Sequence, residues 1–207
     1  MKYIKSFKLI KSVNGNIYKY ETKNPLIRFV VAKFLNDLKT LVLPVKNEIR
    51  NALEIGCGEG YVTKFLWDLG INIEGADISP EALKIAKEKF HEINFTQKSI
   101  YELTKYNKKY DAIFAIEVLE HLSNPELAIN EMIKCSNKFL ILSVPNEPFF
   151  RLANILRLKY LKNFGNTPGH INHWNFFSFK KFLRRSGLSI QKYKISTLWL
   201  MALATVF

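Results

Sequence analysis

Two groups of residues in this 207-residue chain carry chemistry in their types and spacing. The first is Leu53-Glu54-Ile55-Gly56-Cys57-Gly58-Glu59-Gly60, a short apolar run that ends in three glycines at alternating positions. Glycine lets the backbone turn tightly and pass close to a ligand at the carboxyl end of a strand. About twenty residues on, a second apolar run ends in Asp77, an acid placed to accept hydrogen bonds from a ribose diol. Together the turn and the acid predict a site for a nucleoside cofactor. The second group is Glu117-x-x-Glu120-His121, with His170 and His173 later in the chain; of the four histidines only His91 lies elsewhere. If residues 117–121 turn helically, Glu117, Glu120 and His121 share one face.

These residues need elements to position them, and the flanking pattern supplies an alternation of strands and helices. Strand Asn51–Ile55 is followed by a helix over 59–69 and strand Ile71–Ala76. Ser79-Pro80-Glu81 opens the next helix with an N-cap, a proline at the first helical position and an acid in the first turn. That helix runs to about Phe90 with Leu83, Ile85 and Ala86 inward. Strands follow at 93–96 and 110–116. Asn124-Pro125-Glu126 opens a helix ending near Ser136, and the apolar run 139–144 suits a central parallel strand. Ser178 is expected to cap a short helix ending at Gly187, before an antiparallel pair over 188–195 and 198–206. Ahead of the first strand, residues 1–24 suggest a hairpin or extended arm. Asn24-Pro25 then starts a helix with Leu26, Phe29, Val30, Phe34 and Leu38 on one face.

Composition bounds the rest. At 48% hydrophobic and 24% charged, the chain can bury a full core and is expected to form one domain. Cys57 and Cys135 lie far apart and read as reduced thiols. The first eight residues alternate lysine with apolar residues and lack the apolar core of a signal peptide. No run of about eighteen apolar residues occurs, so nothing is expected to span a bilayer and a cytoplasmic location is expected. The net charge of +13 favours an anionic partner, although the lysines are spread over most segments rather than clustered.

Which cofactor the turn holds depends on its charge. A dinucleotide turn reads G-x-G-x-x-G, and Tyr61 stands where its third glycine would be. Glu54 also puts a carboxyl at the strand end. A pyrophosphate would be repelled there, whereas a sulfonium or ammonium would be attracted. This disfavours a nicotinamide oxidoreductase and favours S-adenosylmethionine. The stretch Leu53–Gly60 resembles motif I of the class I S-adenosylmethionine-dependent methyltransferases. Gly75-Ala76-Asp77-Ile78-Ser79 resembles their ribose-binding second strand, Tyr110-Asp111-Ala112-Ile113 the start of their fourth, and Phe139 to Pro145 their fifth. Gly187-Leu188 resembles the turn into their sixth. The likeness covers residues 50 to about 200 in the family's order, and the chain resembles the small-molecule and quinone-biosynthetic O-methyltransferase type.

The resemblance implies an α/β fold: a doubly wound, seven-stranded, mostly parallel sheet of order 3-2-1-4-5-7-6, strand seven antiparallel, with helices on both faces. It divides the chain into an arm and covering helix over 1–48 and the methyltransferase domain over 49–207, with 147–177 as a substrate-side insertion. It also implies roles. Glu54, Gly56, Cys57, Gly58 and Gly60 hold the methionine part of the cofactor and Asp77 its ribose. Ile78, Ser99, Ile100 and Ile116 line the adenine side, Ser99 standing near where the family often has an aspartate.

Three readings of the acid–histidine cluster stay open. Glu117, Glu120 and His121, with His173 or His170, suit a divalent metal that lowers the pKa of a substrate hydroxyl. That pattern is similar to the metal-binding segments of quinone-biosynthetic and small-RNA 3′-end methyltransferases. Alternatively His121, assisted by Glu117 and His173, is a metal-free general base. In the third reading Glu120 and His121 are a structural pair.

Residues 149–164 alternate Phe149, Phe150, Leu152, Ile155, Leu156, Leu158, Tyr160 and Leu161 with Arg151, Arg157, Lys159 and Lys162. This suits a cover for an apolar acceptor or a contact with an anionic membrane, and equally a core helix with a solvated outer face. The expected acceptor is a small or lipid-linked molecule, methylated on oxygen. An RNA acceptor lacks a recognisable binding module, and a non-catalytic cofactor-binding protein is the further alternative.

Overall fold

The structure, a computed structural model, describes residues 19–147, 149–156, 158 and 163–206. Most of the expected arm and much of the basic stretch, residues 1–18, 157 and 159–162, lie outside them.

Seven strands form one sheet of order β3-β2-β1-β4-β5-β7-β6. They are β1 (Ala52–Ile55), β2 (Ile73–Asp77), β3 (Phe95–Gln97), β4 (Tyr110–Ile116), β5 (Ser136–Pro145), β6 (Ser189–Ser196) and β7 (Trp199–Thr205). The first five pair in parallel, and β7 runs antiparallel to both β5 and β6. Among the described residues, helices α1 (Pro25–Val42), α2 (Tyr61–Asp68), α3 (Pro80–Lys89), α4 (Pro125–Cys135), α5 (Phe149–Leu156) and α6 (Phe176–Arg185) flank the sheet. Short 3₁₀ turns span Leu43–Glu48, Ile100–Tyr106 and Leu119–His121; the first two were not foreseen in the sequence.

Alternation along the strands sorts the core into two layers. On β4, Tyr110, Ile113 and Ala115 face one layer with α4 and α6, while Ala112, Phe114 and Ile116 face the other with α1 and α2. Leu140, Leu142 and Val144 of β5 split in the same way from Phe139 and Ile141. Strands buried on both faces read as continuous apolar runs, which is why β4 and β5 were legible.

Helix starts follow local chemistry. Asn24 accepts from the Leu26 and Ile27 amides, Ser79 from Ala82 and Asn124 from Leu127, each just before a proline. At α6 the expectation needs correction. Asn175 is the cap, taking the Phe177 and Ser178 amides, and the Ser178 hydroxyl returns a bond within that capping box. On α1, Phe34, Asp37, Leu38, Leu41 and Val42 form the buried stripe, whereas Leu26 and Phe29 are 65% and 67% exposed. Periodicity finds the face of a helix but not where the sheet beneath it stops.

Candidate active site

The glycine turn closes β1. Gly56, Gly58 and Gly60 have φ of 76°, 53° and 81°, the left-handed region that glycine adopts without a Cβ penalty. A Cβ on Gly56 would stand 2.4 Å from Val118 Cγ2, so the turn lies directly against the segment that follows β4. Asp77, at the end of β2, braces the turn: one carboxylate oxygen accepts from the Gly58 amide at 2.8 Å, the other from Ser79 at 2.9 Å. The Gly56 and Cys57 amides donate to the Ala76 carbonyl at 2.7 and 3.0 Å. Cys57 is buried, and burial pushes its thiol well above the usual range, so it is a wall and not a nucleophile.

Glu54 is only 2% exposed and accepts from the Thr63 hydroxyl of α2. Burial pushes its carboxyl up to about 8, against the pull of the Thr63 bond. Without a ligand this group is therefore largely neutral at pH 7. Its preference for a cation operates through ionisation when a positive charge arrives, and not through a standing negative charge. On the adenine side, Ile78 is 64% exposed and Ile100 is buried. Gln97 donates to the Ile78 carbonyl at 2.9 Å, and Ser99 caps the 3₁₀ turn by accepting from Tyr101. Ile116 is buried at the end of β4.

The acid–histidine group follows β4. Glu117 has φ of 57°, a backbone strain that non-glycine residues accept mainly at functional sites. Its amide donates to the Ser143 carbonyl of β5 at 3.0 Å, and its carboxylate holds the ammonium of Lys19. Glu120 is 1% exposed with Oε2 lacking a partner, and burial, with help from Glu117, raises its pKa well above the carboxylate range. His121 Nδ1 lies 3.0 Å from the Gly169 carbonyl. A carbonyl only accepts, so Nδ1 is the donor in this contact.

The loop over 163–175 completes the site because it is tied down. The Ile171 and Asn172 amides donate to the Glu120 carbonyl, and the Asn172 side chain donates to Leu119 and Leu122 at 3.0 and 2.6 Å. This sets the His170 ring edge-on to His121, centroids 4.9 Å apart. Burial, aided by His121, lowers the His170 pKa to about 4, so it is neutral. His173 stands apart: its Nδ1 is 3.8 Å from Glu147 Oε1, while Arg151 Nε is 3.4 Å from Glu147 Oε2. Burial lowers the His173 pKa and raises that of Glu147.

A divalent cation suits part of this group. One ligand atom from each of Glu120, His121 and His170 lies within 4.8 Å of the others, and Glu120 Oε2 and His170 Nδ1 are without hydrogen-bond partners. Carboxylate with imidazole suits magnesium, manganese or zinc, and such an ion would acidify a nearby hydroxyl. Glu117, whose carboxylate faces Lys19, and His173, whose Nδ1 faces Glu147, are not among the three whose ligand atoms converge.

Four residues of the site were not singled out in the sequence. Thr63, one helical turn into α2, partners Glu54. Glu147, just beyond β5, is a third buried acid, and Asn172 between two histidines is the loop's anchor. Lys19 comes from far up the chain, and nothing local marks it.

The family model for a methyltransferase domain matches residues 27–193. Among curated proteins, a ubiquinone biosynthesis O-methyltransferase of Pelagibacter ubique is 31% identical over 133 residues, which is 60% of this chain and 54% of that one. The protein of the same name from Marinobacter nauticus is 27% identical over 150 residues, 68% of this chain and 60% of that one. The matched segments thus span less than two thirds of these relatives. Among solved structures, magnesium protoporphyrin IX methyltransferase from Synechocystis PCC 6803 with bound SAH superposes with a TM-score of 0.70 at 18% identity, over 93% of this chain and 92% of that one.

Proposed function

The chain belongs to the methyltransferase domain family, and from that premise we propose that it carries the methyl group of S-adenosylmethionine to an oxygen of a small, partly apolar or lipid-linked acceptor. The observation that carries the reading is the packing of the Asp77-braced glycine turn against the segment after β4 that presents His121, whose Nδ1 is tied to the Gly169 carbonyl. Relatives named as ubiquinone biosynthesis O-methyltransferases support oxygen as the acceptor atom.

The sulfonium carbon is already activated, so the protein's main contribution is placement. Holding nucleophile and methyl in line contributes several kcal/mol, up to about 7–11 in ideal intramolecular cases. An acceptor O–H must lose its proton as the new C–O bond forms and the C–S bond breaks. His121 Nε2 receives that proton, and the donor leaves as a neutral thioether. Gly56, Gly58, Gly60 and Glu54 hold the donor's methionine part, Asp77 its ribose, and Ile78, Ser99, Ile100 and Ile116 its adenine side. The buried pair of Glu120 and His170 orients His121 or, with it, holds a divalent ion.

The exposed apolar residues of and after α5 support an apolar or lipid-linked acceptor. Phe149, Leu152, Leu156 and Leu158 project to solvent in the segment that follows Glu147. No described helix is long and apolar enough to cross a membrane.

One experiment tests these roles. Thermal unfolding with S-adenosylhomocysteine and, separately, with NADH should show stabilisation by the first alone. Isotopically labelled donor should then pass its label to catechol or quinol acceptors. Stabilisation by NADH alone would end the donor assignment. Binding without transfer to any acceptor would leave a cofactor-binding protein. Activity that survives strong chelator, with no metal found by mass spectrometry, would remove the metal role.

A further inference from the structure

Residues Lys19, Tyr20 and Glu21 form a strap across the glycine turn. Lys19 Nζ pairs with the Glu117 carboxylate just past β4. Tyr20 stacks on Tyr61, the first residue of α2, with ring centroids 4.8 Å apart and planes 7° from parallel. Glu21 accepts from the Tyr61 hydroxyl at 2.5 Å and pairs with Lys89, the last residue of α3. Three successive residues therefore grip the ends of three elements that surround the turn.

The charges under this strap are unbalanced with respect to the donor. S-adenosylmethionine carries a sulfonium, an ammonium and an α-carboxylate. Asp77 and Glu117 suit the ribose hydroxyls and a cation, burial favours the neutral form of Glu54 and Glu120, and none of the four offers a carboxylate a positive partner. Lys19 brings an ammonium among them, on a side chain that is 26% exposed and, among the described residues, salt-bridged to Glu117. An ammonium on a long, flexible stem changes partner at small cost in geometry.

We propose that Lys19 is the receptor for the donor's α-carboxylate. Lys19 rests on Glu117; with the donor bound, Lys19 exchanges that acid for the donor's own, and Tyr20, stacked on Tyr61, covers the amino-acid portion. Glu117 is thereby released to face the sulfonium or the acceptor only when a donor is in place. This inference rests on the methyltransferase reading.

Calorimetry with two ligands tests it. S-adenosylhomocysteine has the carboxylate; 5′-methylthioadenosine has the same adenosine and thioether but no amino-acid portion. Lys19→Gln should weaken the first by about 10- to 100-fold, the worth of a charged hydrogen bond, and leave the second within about twofold. Lys19→Arg should restore most of the loss. Equal loss for both ligands would make the strap merely structural and overturn the assignment, as would undiminished S-adenosylhomocysteine binding by Lys19→Gln. If the unaltered protein binds neither ligand, the donor reading itself has failed.

Discussion

Glu54 shows how one buried carboxyl links cofactor, proton and stability. Its ordinary value is near 4.5, and burial moves it to about 8 in the folded chain. A raised folded value means that the native state holds the proton more tightly than the unfolded one. The associated stability is fully present below pH 4.5 and is given up as pH rises towards 8. Glu54→Gln removes this titration, so the unliganded protein should lose stability relative to that variant between about pH 5 and 8. A ligand ammonium favours the ionised form, so S-adenosylhomocysteine should bind the unaltered protein more tightly as pH rises through the same window. Parallel pH profiles for the two proteins, in denaturation and in binding, would refute the assignment. The sequence marked Glu54 as an acid at a strand end, and its attraction for a cation followed. Its neutrality did not, because that depends on burial beneath α2, which outweighs the opposing Thr63 bond.

At the scale of elements, the proposed acceptor side of the site depends on a loop anchored by the Asn172 side chain together with the Ile171 and Asn172 backbone amides. Asn172 bonds the carbonyls of Leu119 and Leu122, and this brings His170 to His121. Asn172→Ala leaves those two carbonyls without their partner. Unfolding free energy should fall by about 1–2 kcal/mol and methyl transfer by about tenfold or more, with S-adenosylhomocysteine affinity unchanged. Chemical denaturation and steady-state kinetics check this, and a variant that keeps full transfer would show that the loop needs no such anchor. Strands β1, β4 and β5 and the starts of α1, α3 and α4 were legible because their causes are local: apolar runs, and a capping residue before proline. The loop's attachment, the Glu147–His173 contact and the reach of Lys19 were not, because each joins residues far apart in sequence. The helix cap misplaced at Ser178 shows the limit from the other side. Asn175 and Ser178 both suit a cap, and only the backbone decides which begins the helix.

The molecule as a whole carries a net charge of +13, and its apolar exposure is uneven. Lys180, Lys181, Arg184 and Arg185 crowd the outer face of α6, while Phe149, Leu152 and Leu156 project from α5. Cationic groups with exposed apolar side chains suit an anionic lipid surface. We therefore expect co-sedimentation with anionic vesicles at low salt, weakening as salt shortens the screening length to about 10 Å at 0.1 M. Replacing Leu152 and Leu156 together by serine should reduce partitioning by about tenfold with little change in folding stability, since both side chains are already exposed. Absence of sedimentation at low salt would exclude a lipid-facing role for this surface and leave the acceptor a freely diffusing molecule.

The placing of β7 between β5 and β6 has a consequence for how the chain is made. Among the described residues β6 pairs only with β7, yet it precedes β7 in the chain, so it leaves the ribosome before the strand it pairs with. Until β7 slots in, β5 presents a bare row of amides and carbonyls along its outer side, an edge open to mispairing with a neighbouring chain. The catalytic half of the sheet is thus translated first and sealed last.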